Sequence, residues 1–308
     1  MNAARWRWVG WLVALLGVVL ALRFFTGFPW RIMFAAVLGA NTLWLAIALV
    51  VNLSSLVAKG WGWHLILKPV APHSWRAAQE ANLVGAAVND LSIAVAGEAA
   101  RIHVIGQRAG VPLGAAASSV VWTRVAEALA LAIFLVMAPG LLDLEPWLRV
   151  VQVGVGLTLV VVLLLAWARG WAWLADQLPA SIQARLEPLR AMGRGGRLLL
   201  PTLFGFYNWA TQWVTYHLVL RATGVPVSLA ASFTALIVAN LSGLLRPTPA
   251  NVGVTQAALV VGLLPFGVAP ERAVAAGLVL QGLQVLPVLA LGALVTGWRL
   301  LRLEAELT

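Results

Sequence analysis

The chain is a succession of long apolar runs separated by short connections that carry most of its arginines. Six runs contain no Asp, Glu, Lys or Arg: residues 32–58, 150–168, 198–220, 222–245, 247–270 and 273–298. Residues 8–22 form a shorter run, and 113–138 is interrupted by Arg124 and Glu127. A bilayer core of ~30 Å takes about 20 helical residues to cross, so most of these runs are long enough. The period-2 alternation of a membrane barrel is absent. The pattern predicts an all-α integral membrane protein, one polytopic domain over residues 1–308, with about six full transmembrane helices: 8–22, 41–67, 113–138, 150–168, 198–220 and 273–298.

Residues 77–110 are too polar for an ordinary span, and residues 227–266 are broken by Arg246, Pro247 and Pro249. Both stretches read as re-entrant hairpins. Around them the order of residues recurs. His64-Leu65-Ile66-Leu67 is followed by Ala77-Ala78, Asn89, Leu91-Ser92, Gly97-Glu98 and Gly110-Val111-Pro112. His217-Leu218-Val219-Leu220 is followed by Ala230-Ala231, Asn240-Leu241-Ser242, Gly253, Gln256, then Gly267-Val268 and Pro270. Two units, about 41–138 and 198–298, are expected as inverted repeats, joined by the fourth helix and an interfacial segment at 169–197. Inverted repeats with discontinuous helices are the architecture of alternating-access transporters.

Composition sharpens this picture. Apolar residues make up 61% and charged residues 10%, with a mean hydropathy of +0.90. Soluble domains carry about 25% charged residues. The formal charge of +10 comes from arginines between spans, where cytoplasmic retention accounts for them better than nucleic-acid binding. The heavy cluster Arg169, Arg185, Arg190, Arg194 and Arg197 sets the orientation, with both termini cytoplasmic. The first run reads as a retained helix, because no small-residue cleavage site precedes Arg23. Sixteen tryptophans, many at run ends, form an aromatic belt. Zero cysteines exclude disulfides and thiolate sites. No nucleotide-binding loop, serine elbow or metal cluster is present in the sequence, so neither a cofactor nor a catalytic residue is expected.

Charges inside spans carry the candidate chemistry. Glu98 and Arg101 stand three apart, neighbours on one helical face at the first break. Arg124 and Glu127 repeat that spacing roughly 16 Å into their helix, where charges pair or face a wet path. At the second break, Arg246 suits a phosphate, and Thr248 and Asn251 either serve freed backbone or meet a ligand. Gln256 follows at the helix restart. His64 and His217 are proton carriers or interfacial side chains.

These residues resemble a family pattern. Gly97-Glu98, Arg101, Gly110, Thr123-Arg124-Val125 and Glu127, then Pro247-Thr248-Pro249-Ala250-Asn251-Val252-Gly253-Val254-Thr255-Gln256 and Gly267, resemble the transmembrane (flippase-like) domain of lysylphosphatidylglycerol synthases. The likeness runs from about Trp8 to Leu301. It implies a bacterial or archaeal cytoplasmic-membrane protein that moves a lipid between leaflets: an anionic or zwitterionic phospholipid, or a polyprenyl-linked one. The synthase domain of the best-known members has no counterpart in this sequence, so the aminoacyl lipid itself is not implied. Three positions depart from the pattern: Val95-Ala96 where a proline usually precedes Gly-Glu, Thr123 before Arg124, and Gln256 where an acidic residue is usual. An intramembrane transferase and a membrane scaffold are the alternatives, and self-association as a homo-oligomer stays open.

Overall fold

The computed structural model describes residues 30–92, 96–142, 146–165, 192, 195–243 and 248–307. The expected first helix, nearly all of the interfacial segment, and Arg246 lie outside these residues. Among the described residues every regular element is helical: α1 Trp30–Leu38, α2 Thr42–Leu67, α3 Trp75–Leu91, α4 Ala96–Ala109, α5 Leu113–Leu141, α6 Pro146–Leu165, α7 Leu199–Ala222, α8 Leu229–Ser242, α9 Val254–Leu263 and α10 Pro270–Leu307.

Capping chemistry explains the boundaries. The apolar run at 32–58 is two helices, because Asn41 stops one and starts the next. Its side chain accepts from the backbone N–H groups of Leu43 and Trp44 at 3.0 and 3.2 Å. Ser74 and Ser228 cap α3 and α8 in the same way, accepting from Ala77 and Ala231 at 3.1 Å each. Gly110 follows α4 with φ +62°, and Gly267 closes the turn after α9 with φ +72°. Both take the left-handed conformation that glycine adopts without steric cost.

The order long, short, short, long occurs twice: 26, 17, 14 and 29 residues in α2–α5, then 24, 14, 10 and 38 in α7–α10. At 1.5 Å per residue the four short helices span about 15–25 Å, less than a ~30 Å hydrocarbon core. α2 and α7 pack antiparallel. The Asn41 N–H donates to the Ala222 carbonyl at 2.8 Å, while at the other end a Cβ on Gly62 would touch Phe204 Cβ at 3.4 Å. The hairpins α3–α4 and α8–α9 each pack helix on helix, and the 3-10 turn Pro249–Asn251 rests on α3.

Four described stretches are long and apolar enough to cross a membrane: Thr42–Leu67, Leu113–Ala138, Pro249–Phe266 and Pro270–Trp298. This is not the expected arrangement of six spans and two hairpins, for identifiable reasons. α7 carries Asn208, Thr211, Gln212, Thr215 and His217, which lower its hydropathy, and the expected first span lies outside the described residues. Pro249–Phe266 is apolar but not one straight helix, since Ala250, Asn251 and Gly253 have φ of 51°, 56° and 83°.

Burial is the reverse of that in a soluble protein. Asn52, Ser55, Ser119, Thr123, Asn208, Thr211 and Thr215 are buried, while Leu38, Val50, Val150, Val261, Leu286 and Leu294 are exposed. Such an outer surface suits lipid and would aggregate in water. One packed core centres on Phe233, Leu236, Leu259, Leu263 and Phe134; a second centres on Trp63, Leu67 and Ile105. Small residues let backbones approach, as where a Cβ on Gly205 would meet Ala130 Cβ at 2.9 Å.

Candidate functional site

The two i, i+3 pairs of the sequence join into one network. Glu98, in the first turn of α4, forms an ion pair with Arg101, whose Nε lies 2.6 Å from its carboxylate, and accepts an Nη2–H of Arg124 from α5. Arg124 uses its other nitrogen on Glu127, 2.6 Å away. Glu98 therefore holds two guanidinium groups, and Arg124 bridges two carboxylates. This cluster ties the first hairpin to a long apolar helix.

Its members differ in exposure. The Arg101 side chain is 9% exposed, with its guanidinium carbon 4.9 Å from the centre of the Trp63 ring. That ring is fixed by its own N–H, which donates to the Ser119 hydroxyl at 2.7 Å. A cation over a desolvated indole face is worth up to ~2 kcal/mol. Arg124 is 58% exposed and faces away from the packed interior. The cluster thus has a fixed inner cation and an accessible outer one. Charged pairs are costly among apolar helices and persist where they pair or meet a polar path.

α3 and α4 meet closely behind the network, where a Cβ on Gly85 would lie 2.8 Å from Arg101 Cβ and from the Gly97 carbonyl oxygen. Arg108 and Glu80 form a further ion pair across the same hairpin. Gln79 and Asn82 both donate to the Leu56 carbonyl of α2, at 3.3 and 3.4 Å, which seats the hairpin on that helix.

Among its described residues, 248–256, the second break is built from neutral groups. The Thr248 hydroxyl donates to the Val252 carbonyl at 2.8 Å, and the Asn251 amide lies against Gly243. Gln256 is buried; its oxygen accepts from the Gly253 N–H at 2.7 Å and its amide donates to Gln281 at 2.6 Å. Gln281 donates in turn to the Ala250 carbonyl at 2.5 Å. Of the residues singled out in the sequence, the structure gathers Glu98, Arg101, Arg124 and Glu127. It sets Thr248, Asn251 and Gln256 apart from them, on the other hairpin.

Sequence reasoning missed the Trp63–Ser119 platform and the Glu80–Arg108 pair, whose partners lie 28 or more residues apart in the chain. Three of the four histidines, His64, His73 and His217, make hydrogen bonds, and His103 is exposed. His73 donates through Nδ1–H to the Ala71 carbonyl at 2.8 Å, which leaves its Nε2 to accept from His64 at 2.9 Å. His217 meets the Ser232 hydroxyl at 3.1 Å.

A search of curated proteins found no match to this chain. The pattern of the lysylphosphatidylglycerol synthase TM region matches residues 7–292, which takes in the first long–short–short–long unit, the second as far as the middle of α10, and the ion-pair network. The chain therefore belongs to the lysylphosphatidylglycerol synthase TM region family, as a multi-pass membrane protein of lipid-related function.

Proposed function

We propose that this protein moves a phospholipid or lipid-linked molecule between membrane leaflets, with the headgroup passing the charged network at the first break while the acyl chains stay in lipid. The observation that carries this reading is the Glu98–Arg124 junction. It places two carboxylates and two guanidinium groups where a re-entrant hairpin meets a long apolar helix, with Arg124 open on the outer side. An arginine there suits a lipid phosphate through paired N–H donors. Glu98 restrains it or meets a cationic headgroup.

In this reading 41–138 and 198–298 are inverted units, and both termini are cytoplasmic. Support comes from the antiparallel α2 and α7, the short hairpin helices and the paired serine caps. Arg246, Thr248, Asn251 and Gln256 belong to the second break and complete the polar path.

The test is leaflet exchange of an acyl-labelled phospholipid in vesicles holding the purified protein. Exchange well above that of empty vesicles is expected, and Arg124→Ala, at the 58% exposed member of the network, abolishes it while the protein melts close to wild type. Vesicles that exchange lipid no faster with the protein than without it would end the reading.

A further inference from the structure

Cations also gather at the end of α2 away from the network. The bond from the Asn41 N–H to the Ala222 carbonyl, 2.8 Å long, fixes the start of α2 beside the turn that follows α7. Arg101 meets α2 over Trp63, near the Leu67 end of that helix and about 30 Å from Thr42. At the α7 turn, Thr223 and Gly224 border an open cleft of about 520 Å³ that α1 and the start of α10 complete. Small-molecule sites measure ~300–1,000 Å³, so the cleft has room for a headgroup.

Its chemistry is cationic. Arg31 from α1 and Arg272 from the first turn of α10 both line it, and both are exposed. No carboxylate stands among the described walls, and Glu271, the neighbour of Arg272, is not one of them. Among the described residues, none of the ion pairs involves Arg31 or Arg272. Arg221 at the same turn is directed elsewhere, over the Trp44 ring with 5.8 Å to its centre. Small walls keep the space open: a Cβ on Gly224 would touch nothing within 4 Å. Two guanidinium groups on one open cleft call for an anion, and their forked N–H donors match the paired oxygens of a phosphate. Beside it, α1 exposes Ile32, Phe34 and Leu38, an apolar surface on which acyl chains can lie.

We propose that Arg31 and Arg272 form a phosphate-binding site, distinct from the Glu98 network and at the opposite end of α2. The phosphate sits between the two guanidinium groups and accepts from both. The exposed apolar residues of α1 favour a lipid headgroup over free phosphate as its source. Binding here requires no translocation, so the site stands or falls apart from the proposed activity.

The chain has no cysteine, so one placed at Ala35, an exposed wall of the cleft, reports on this site alone. The full chain carrying Ala35→Cys is alkylated in detergent by a water-soluble maleimide, with phosphatidylglycerol, diacylglycerol or inorganic phosphate added in turn. Phosphatidylglycerol is expected to slow alkylation, while Pro72→Cys, exposed beyond the Leu67 end of α2, reacts at an unchanged rate. Arg31→Gln and Arg272→Gln each raise the phosphatidylglycerol concentration for half protection by about tenfold, or 1.4 kcal/mol. Arg221→Gln raises it by less than about twofold, because an exposed charge outside the cleft is screened. Melting of each variant checks that it folds; should one arginine variant not fold, the other takes the same readout.

Protection by phosphatidylglycerol alone assigns the site to a lipid headgroup, and equal protection by inorganic phosphate assigns it to free phosphate. No protection by either, or protection by diacylglycerol as strong as by phosphatidylglycerol, overturns the phosphate site. Protection that both cleft variants keep, or that Arg221→Gln weakens as much as they do, overturns the role of Arg31 and Arg272. A wild type that shows the protection but exchanges no lipid refutes translocation and leaves this site in place.

Discussion

Gly97 opens the turn that carries Glu98, and replacing it with alanine tests whether the hairpin positions the network. A Cβ at this site would lie 2.5 Å from Asn89 Cβ and 3.1 Å from Asn89 Cα, with the Gly85 carbonyl oxygen also in the way. Ordinary contact begins near 3.4 Å, so α3 and α4 have to part by about 1 Å. Backbone on both sides leaves no flexible side chain to absorb the movement. Overpacking of this kind costs ~1–3 kcal/mol, and alanine returns ~0.5–1 kcal/mol of helix propensity, so a net loss of about 0.5–2 kcal/mol is expected. Gly114→Ala is the control, because nothing lies within 4 Å of a Cβ at that position. Thermal unfolding in detergent should show Gly97→Ala melting below wild type and Gly114→Ala at or above it. Lipid exchange should fall with Gly97→Ala as Glu98 moves away from Arg124. If Gly97→Ala melts like Gly114→Ala and exchanges lipid normally, the close approach does not position the site.

Arg124→Ala should cost little stability, about 0–1 kcal/mol, because its side chain is 58% exposed and Arg101 still holds Glu98; lipid exchange should nevertheless be lost. The inner Arg101→Ala should instead destabilise by ~3–5 kcal/mol, read by the same melting measurement. Ala250→Gly should raise the melting temperature by ~2 °C, since φ 51° costs a residue bearing a Cβ about 1 kcal/mol. Single cysteines replacing Pro72 and Pro226, both exposed where the chain enters a hairpin, should label from opposite faces of sealed vesicles; labelling from one face would refute inverted units.

Local signals were legible in the sequence because their causes are local. Gly110-Val111-Pro112 and Gly267-Val268 announced turns, and both glycines have positive φ. The spacing of Glu98 with Arg101 and of Arg124 with Glu127 announced two ion pairs. Their union did not show, because Glu98 and Arg124 meet only through the packing of α4 on α5. The span expected at 41–67 agrees with α2, but hydropathy does not register its cause, the Asn41 side chain turned back onto the N–H groups of Leu43 and Trp44.

The two hairpins share a frame and differ in chemistry, and the difference accounts for the departure at Gln256. At the first hairpin the network is charged, and Arg124, supplied by α5, stays accessible. In the second they are amides spent on one another, in a chain from the Gly253 N–H through Gln256 and Gln281 to the Ala250 carbonyl. That chain needs Gln256 to accept on one side and donate on the other. A glutamate at 256 would still accept from Gly253, but once ionised it would set a carboxylate oxygen against the Gln281 oxygen at about the present 2.6 Å separation. Gln281 would then have to turn its amide nitrogen towards 256 and release the Ala250 carbonyl, in a turn where Ala250 already has φ 51°. Glutamine at 256 and glutamine at 281 are therefore one feature. Among the described residues they hold the second break with neutral groups, while the ion pairs Glu98–Arg101 and Arg124–Glu127 stand at the first.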